Sequence, residues 1–276
     1  MTLSINTNQS ALIALQNLNA TNAELEEVQN TISTGLAIGS AEDSASVFAI
    51  AQGLRADTGA LDAVTGSLDR AISIGEVALT AGETVSDLLI ELRTVATRAS
   101  DVSIDTFARD ALQEDFASLI EQIQLVVDTA DFDGANILDN SVTTGIAFLA
   151  DADATQTLTL GAQNFTFGGP NITLTAAASV ATITGAQDAL TAIEASIDEV
   201  NLSLGNLGAD LRTLEAHRTF VGNLQDSLTV GIGNLVDADL AVESAQLQAL
   251  QVQQQLATTS LSIANTAPQA ILGLFG

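Results

Sequence analysis

LVDADLAVESAQLQALQVQQQLATTSLSIANTAPQAILGLFG, Leu235–Gly276, closes the chain and decides how the rest is read. After Glu243 it contains no charged side chain, yet it is rich in Gln, Ser and Thr, and Leu240, Leu247 and Leu261 fall on one heptad register. Such spacing marks an amphipathic helix. A helix in water normally carries charge on its outer face, so an uncharged one implies that both faces meet protein. Burying an ion costs several kcal/mol unless it is well paired, which is reason enough for a packed, repeating setting to exclude charge.

The other end has the same character. Met1–Ala23 also lacks any charge. A helix is expected to begin near Ser4 to Asn8, whose side chains can accept from orphan N–H groups, and to run to about Ile32. Leu18, Leu25 and Ile32 stand seven apart, with Leu15 and Val28 beside them. At 1.5 Å per residue this helix is roughly 40 Å long, and so narrow a stripe cannot stabilise it alone. The two uncharged ends are therefore expected to pair with each other and with other copies of the chain.

Between the ends the three-four spacing continues. Leu61/Val64, Leu68/Ala71, Gly75/Ala78, Gly82/Val85, Leu89/Leu92 and Ala96/Ala99 form one sustained heptad, with small residues in its middle that permit close helix approach. A second run holds Leu112, Phe116, Leu119, Ile123, Val126 and Ala130. A third holds Leu190, Ile193, Ile197, Val200, Leu204, Leu207, Leu211 and Leu214. Glu91, Arg93, Glu114, Glu194 and most other charges fall off these stripes. From Phe132 to Ala181 the period changes to two, with candidate strands at Gly145–Leu149, Gln156–Leu160, Asn164–Phe167 and Asn171–Thr175 and a turn at Gly168-Gly169-Pro170. The fold class is thus mainly α: a long antiparallel helix bundle or coiled coil, with paired N- and C-terminal helices and a small β-hairpin insertion.

Composition excludes several functions. Thirty-four acidic residues against seven basic ones, all Arg, give a net charge of −27. Counterion release from a nucleic acid needs clustered Lys and Arg, so no nucleic-acid partner is expected. The uncharged segments are too often broken by Gln, Asn, Ser and Thr to span a bilayer, and no membrane partner is expected either. The start lacks a basic segment followed by a continuous apolar core, so export would proceed without a cleaved signal peptide. There is no Cys, and His217 is the sole His.

No residue pattern supports catalysis, a cofactor or a metal. Asp131–Asn136, DFDGAN, places Asn136 and Val142 where a calcium loop needs Gly and Glu, and reads as a turn ending a helix. The pairs Asp151/Asp153 and Asp237/Asp239 have no third group; Asp237 and Asp239 suit the start of the last helix. Gly231-Ile232-Gly233 lacks the third Gly and preceding strand of a nucleotide loop. Arg218 stands where the third heptad calls for an apolar residue, and is a candidate for a buried inter-helix ion pair, with a solvated contact as the alternative.

ISTGLAIGSAEDSASVFAIAQGLR, Ile32–Arg55, supplies a different kind of evidence. Its Ser-x-Gly turn, Ile38, Ser40-Ala41 pair, Asp43 and small-residue helix start resemble the N-terminal signature of bacterial flagellin. INTNQSALIALQNLN at Ile5–Asn19, the segment Gly233–Asn265 and the closing ILGLF resemble that family's first and last lines, most closely in the short alphaproteobacterial members. The resemblance implies a structural subunit, not an enzyme, that self-assembles into an extracellular helical filament for motility.

It also implies a division of labour. Residues 1–34 plus 236–276 would be the paired terminal helices of an inner tube, and 35–235 a helical bundle forming an outer tube, including a β-hairpin region at 136–181. Assembly would fall on Leu15, Leu18, Leu25, Val28, Ile32, Leu240, Leu247, Leu250, Leu256, Leu261, Ile263, Leu274 and Phe275. The partners implied are further copies of the chain, the flagellar export apparatus, an export chaperone, the filament cap and the hook-filament junction proteins. Two alternatives stand beside this: a hook-filament junction protein of the same family, and a secreted carboxylate-dependent hydrolase, which the isolated Asp pairs poorly equip.

Overall fold

The structure is a computed structural model and describes residues 8–272. Its elements are α1 (Gln9–Thr34), α2 (Ala45–Ala99), α3 (Thr106–Thr129), β1 (Ile146–Leu149), β2 (Thr157–Leu160), α4 (Ile183–Val236) and α5 (Leu240–Leu272). The chain divides into two compact units, Asp57–Asp226 and the combined ends Met1–Ala56 with Ser227–Gly276.

Within the Asp57–Asp226 unit, the α2 heptad forms the core that its spacing predicts. Leu61, Val64, Leu68, Ala71, Ala78, Val85, Leu89, Leu92, Ala96 and Ala99 are all buried. Helix α4 runs antiparallel to α2 and in register with it. Gln225 Nε2 donates to Asp62 Oδ1 at 2.7 Å, Arg218 meets Asp69, Ser86 Oγ donates to Asn201 Oδ1 at 3.3 Å, and Arg93 pairs with Glu194 at 3.1 Å. Along this ladder the α4 number falls as the α2 number rises. Leucine side chains of α4 pack directly onto Gly75 and Gly82, where a Cβ would stand 2.5 Å from Leu211 Cδ2 and 2.6 Å from Leu204 Cδ2. That is why glycines interrupt the heptad there.

The buried stripe of α4 differs from the expected one at three positions. Ala189, Ser196 and Ser203 are buried where the sequence pointed to Leu190, Ile197 and Leu204. The Ser196 hydroxyl donates to Ala192 O at 2.7 Å and accepts from Thr173 N and Leu174 N at 3.0 and 3.4 Å, so it anchors the return segment to the helix. Replacing Ser196 by Ala should leave those two N–H groups without their acceptor and lower stability by about 1–3 kcal/mol, read as an earlier urea midpoint with unchanged m.

Helix α3 shifts in the same way. Its stripe is Phe116, Ile120, Ile123, Val127 and Ala130, joined by Arg109, which is only 8% exposed. Arg109 donates to Ala99 O at 3.0 Å, a carbonyl that the end of α2 leaves unpaired, and to Asp101 O at 2.9 Å in the turn that follows. At the other end of α3 the DFDGAN turn stops the helix: buried Asn136 donates to Val127 O at 2.7 Å and accepts from Leu138 N at 2.8 Å.

Of the four expected strands, two form. β1 and β2 pair antiparallel from Ile146 with Leu160 to Leu149 with Thr157. Asn164–Phe167 and Asn171–Thr175 are not strands; a single bridge joins Phe167 and Ile172. Their donors are used elsewhere: Phe165 N goes to Leu138 O at 2.8 Å, Thr166 N to Asn164 Oδ1 at 2.9 Å, and Thr173 N to Ser196. Phe165, Ile172 and Leu174 are nevertheless buried in the core. Alternation did not show that a loop carbonyl, a local side-chain amide and a helix hydroxyl, and not a neighbouring strand, receive those donors.

Candidate assembly surface

The combined-ends unit is built on an antiparallel pair, α1 with α5. Asn8 caps α1 by accepting from Ala11 N at 3.2 Å, and its amide reaches across to Ala264 O at 2.7 Å. At the far end Gly35 takes φ 74°, and its N–H closes on Thr31 O at 2.8 Å. The connectors following α1 and preceding α5 then clip together. Ala37 N and Ile38 N both donate to Val236 O, at 2.7 and 3.2 Å, and Ala238 N donates to Gly35 O at 2.9 Å around a Leu36–Asp237 bridge. Asp239 starts α5, accepting from Ala241 N and Val242 N at 2.9 and 3.2 Å.

Between clip and cap the seam is apolar, interrupted by one amide pair. Leu25, Val28 and Leu250 are buried, with Ile32 and Leu247 packed against them. Beyond them Gln254 Nε2 donates to Asn22 Oδ1 at 2.7 Å. The covered face of α5 is Leu247, Leu250, Gln254, Ala257, Leu261 and Ala264, all buried or half-buried.

A second face of α5 is bare. Ala245, Ala249, Val252, Leu256, Thr259 and Ile263 repeat at the same three-four spacing and are all exposed; Val252, Leu256 and Ile263 stand at 56%, 61% and 65%. Residues two apart in a helix are separated by about 200°, so this face lies largely opposite the seam. Helix α1 adds exposed Leu12, Ile13 and Leu15, but further along it carries exposed Glu24, Glu26 and Glu27. The uncharged outward stripe thus belongs to α5.

The thirteen residues expected to assemble fall into three groups. Leu18, Leu25, Val28, Ile32, Leu247, Leu250 and Leu261 lie in the seam within one chain; Leu15, Leu240, Leu256 and Ile263 face outward. Leu274 and Phe275 lie outside the described residues. Sequence reasoning missed Val242, Val252, the Asn22–Gln254 pair and the clip. A heptad counted from Ala245 would have found the second stripe.

Arg218 does form an inter-helix ion pair, with Asp69, but the side chains are 49% and 50% exposed, so the pair is a solvated one. The long guanidinium reaches out of the stripe instead of entering it. Elsewhere the carboxylates are held by local donors. Backbone N–H groups of Ser40 and Gly39 keep Asp43 below the usual carboxylate range, the Ser103 N–H does so for Asp101, and the Thr155 hydroxyl followed by the Gln156 N–H does so for Asp151. Asp133 is taken by Arg70 at 2.8 Å, and His217 Nε2 lies 2.7 Å from Ala150 O. Among the described residues no three metal-binding side chains converge, and no helix is long and apolar enough to cross a membrane.

Comparison with known proteins agrees with a chain whose ends carry its character. Residues 5–143 match the bacterial flagellin N-terminal helical region, and residues 190–275 the bacterial flagellin C-terminal helical region. Flagellin FljJ of Caulobacter vibrioides is 48% identical over 100% of this chain and 99% of its own length. The flagellin of Brucella melitensis and flagellin C of Rhizobium meliloti are each 33% identical, over 99% of both chains. The crystal structure of Bacillus cereus flagellin covers 56% of this chain and 88% of its own at 22% identity, with a TM-score of 0.49. With both terminal regions matched and relatives aligned from end to end, this chain belongs to the bacterial flagellin family.

Proposed function

We propose that the paired ends, 1–34 with 236–276, form the inner tube of a filament, and that 35–235, including the β region at 136–181, surrounds it as an outer tube. The chain is a structural subunit that self-assembles into the helical flagellar filament used for motility. One observation carries the layered reading: with α1 seated on one face of α5, an uncharged heptad face remains bare on the other. Such a face in a −27 chain suits only other protein. Where that face meets a different face of the next copy, the contact propagates as an open helix instead of closing.

The export apparatus, an export chaperone, the filament cap and the hook-filament junction proteins complete the partner set, and export proceeds without signal cleavage. Electron microscopy of the purified chain after assembly tests the reading: long filaments are the expected result. Short or few-copy assemblies would favour the hook-filament junction alternative.

Charge adds a condition. Stacked copies at −27 each repel one another, and salt screens exposed charges beyond about 8–10 Å. Filaments should therefore melt at a higher temperature in saline than in low-salt buffer. Calorimetry that finds one melting temperature across that range contradicts the electrostatic account.

A further inference from the structure

Helix α5 has two uncharged faces of the same three-four spacing, and apolar patterning alone does not say which takes α1 and which takes a neighbouring copy. The clip at Gly35–Ile38 fixes where α1 ends and α5 begins, and so their axial register. It lies about 24 Å along the helix from Gln254, too far to set the facing of the outer half. Beyond the clip, the Asn8 amide reaches only a backbone carbonyl, which either face offers, so the side chain on α5 that separates the faces is one carboxamide. Gln254 occupies the position where the register of Leu240, Leu247 and Leu261 calls for Leu, and it is half-buried against half-buried Asn22 at 2.7 Å. The bare face offers only Ala, Val, Leu, Ile and Thr at the equivalent places.

We propose that Asn22 and Gln254 are the specificity-determining pair that assigns the Leu247–Ala264 face of α5 to α1 and reserves the Ala245–Ile263 face for a second copy. This rests on the polymerisation reading above. Turned onto the bare face, Asn22 would meet Val252 and Leu256 with no amide to pair with, and Gln254 would be left on the uncovered face. A single polar position in an apolar seam selects one arrangement at some cost in stability, and this pair does so between the two faces of one helix. The aliphatic positions supply adhesion without direction; the amides supply direction.

The test uses the full chain and helical reconstruction of its filaments. Gln254→Leu alone should raise the critical concentration about tenfold, because Asn22 is left unpaired. Asn22→Leu with Gln254→Leu should restore the critical concentration yet give filaments of more than one helical form, with α1 density on both faces of α5. The exchange Asn22→Gln with Gln254→Asn should restore the single form. Uniform double-leucine filaments with α1 on its original face overturn the proposal, as does a double-leucine chain that cannot assemble, since two leucines add apolar contact. A pair that only stabilised would move the concentration and leave the facing unchanged. Failure of the unsubstituted chain to polymerise overturns the polymerisation reading as well, so the two failures are told apart.

Discussion

Replacing Leu256 by Glu should stop filament growth while leaving the α1–α5 pair and the Asp57–Asp226 unit intact. Leu256 is 61% exposed in the single chain and sits mid-way along the bare stripe, so the substitution costs the isolated subunit little. In a filament the same carboxylate would be enclosed among Val252, Ile263 and a neighbour's uncharged helices, with no arginine near it on α5. Enclosing an unpaired ion costs several kcal/mol, and at 1.4 kcal/mol per tenfold even about 4 kcal/mol raises the critical concentration roughly a thousandfold. The matched control is Gln248→Glu, which lies off both stripes and should be far better tolerated. Sedimentation of each variant across a concentration series measures the effect. Equal critical concentrations for the two would remove α5's bare face from the interface.

Deleting Ala270–Gly276 should have an equally large effect. The deleted segment contains Ile271, Leu272, Leu274 and Phe275 and no charge. Fully burying such a side chain is worth about 1.5–3 kcal/mol, so the four together could contribute up to roughly 6–12 kcal/mol per copy on assembly. None of them belongs to the Asp57–Asp226 unit, whose melting transition should persist unchanged. Electron micrographs free of filaments, beside an intact calorimetric transition, are expected. Normal filaments from the truncated chain would sink the assembly role given to Leu274 and Phe275.

How far the sequence could be read depended on how local the cause was. The α2 heptad could be read residue by residue because a 3.5-residue period over many turns has few causes other than a helical seam. In α4 the seam was shifted at Ser196 and Ser203, and in α3 it was joined by Arg109; all three are polar by type and buried by circumstance. Arg109 and Ser196 satisfy backbone groups on a segment remote in sequence or at a helix end, which no window of neighbours reveals. The β region failed at Asn164–Phe167 and Asn171–Thr175 for a related reason. Period-two burial records which side faces the core, and is silent on where the N–H groups go.

The assembly surface divides the same way. The missing charges at both ends, the heptads and the family signature at Ile32–Arg55 are properties of the chain as written. They point to helices in both terminal segments and to the family of filament subunits. Which face of α5 meets α1, which stays bare, and whether Arg218 is buried were decided only by the tertiary structure. Hydrophobicity is non-directional, so two stripes of like composition are equivalent until a specific contact separates them. Here those contacts are the Gly35–Val236 clip and the Asn22–Gln254 hydrogen bond, each formed between residues about two hundred or more positions apart.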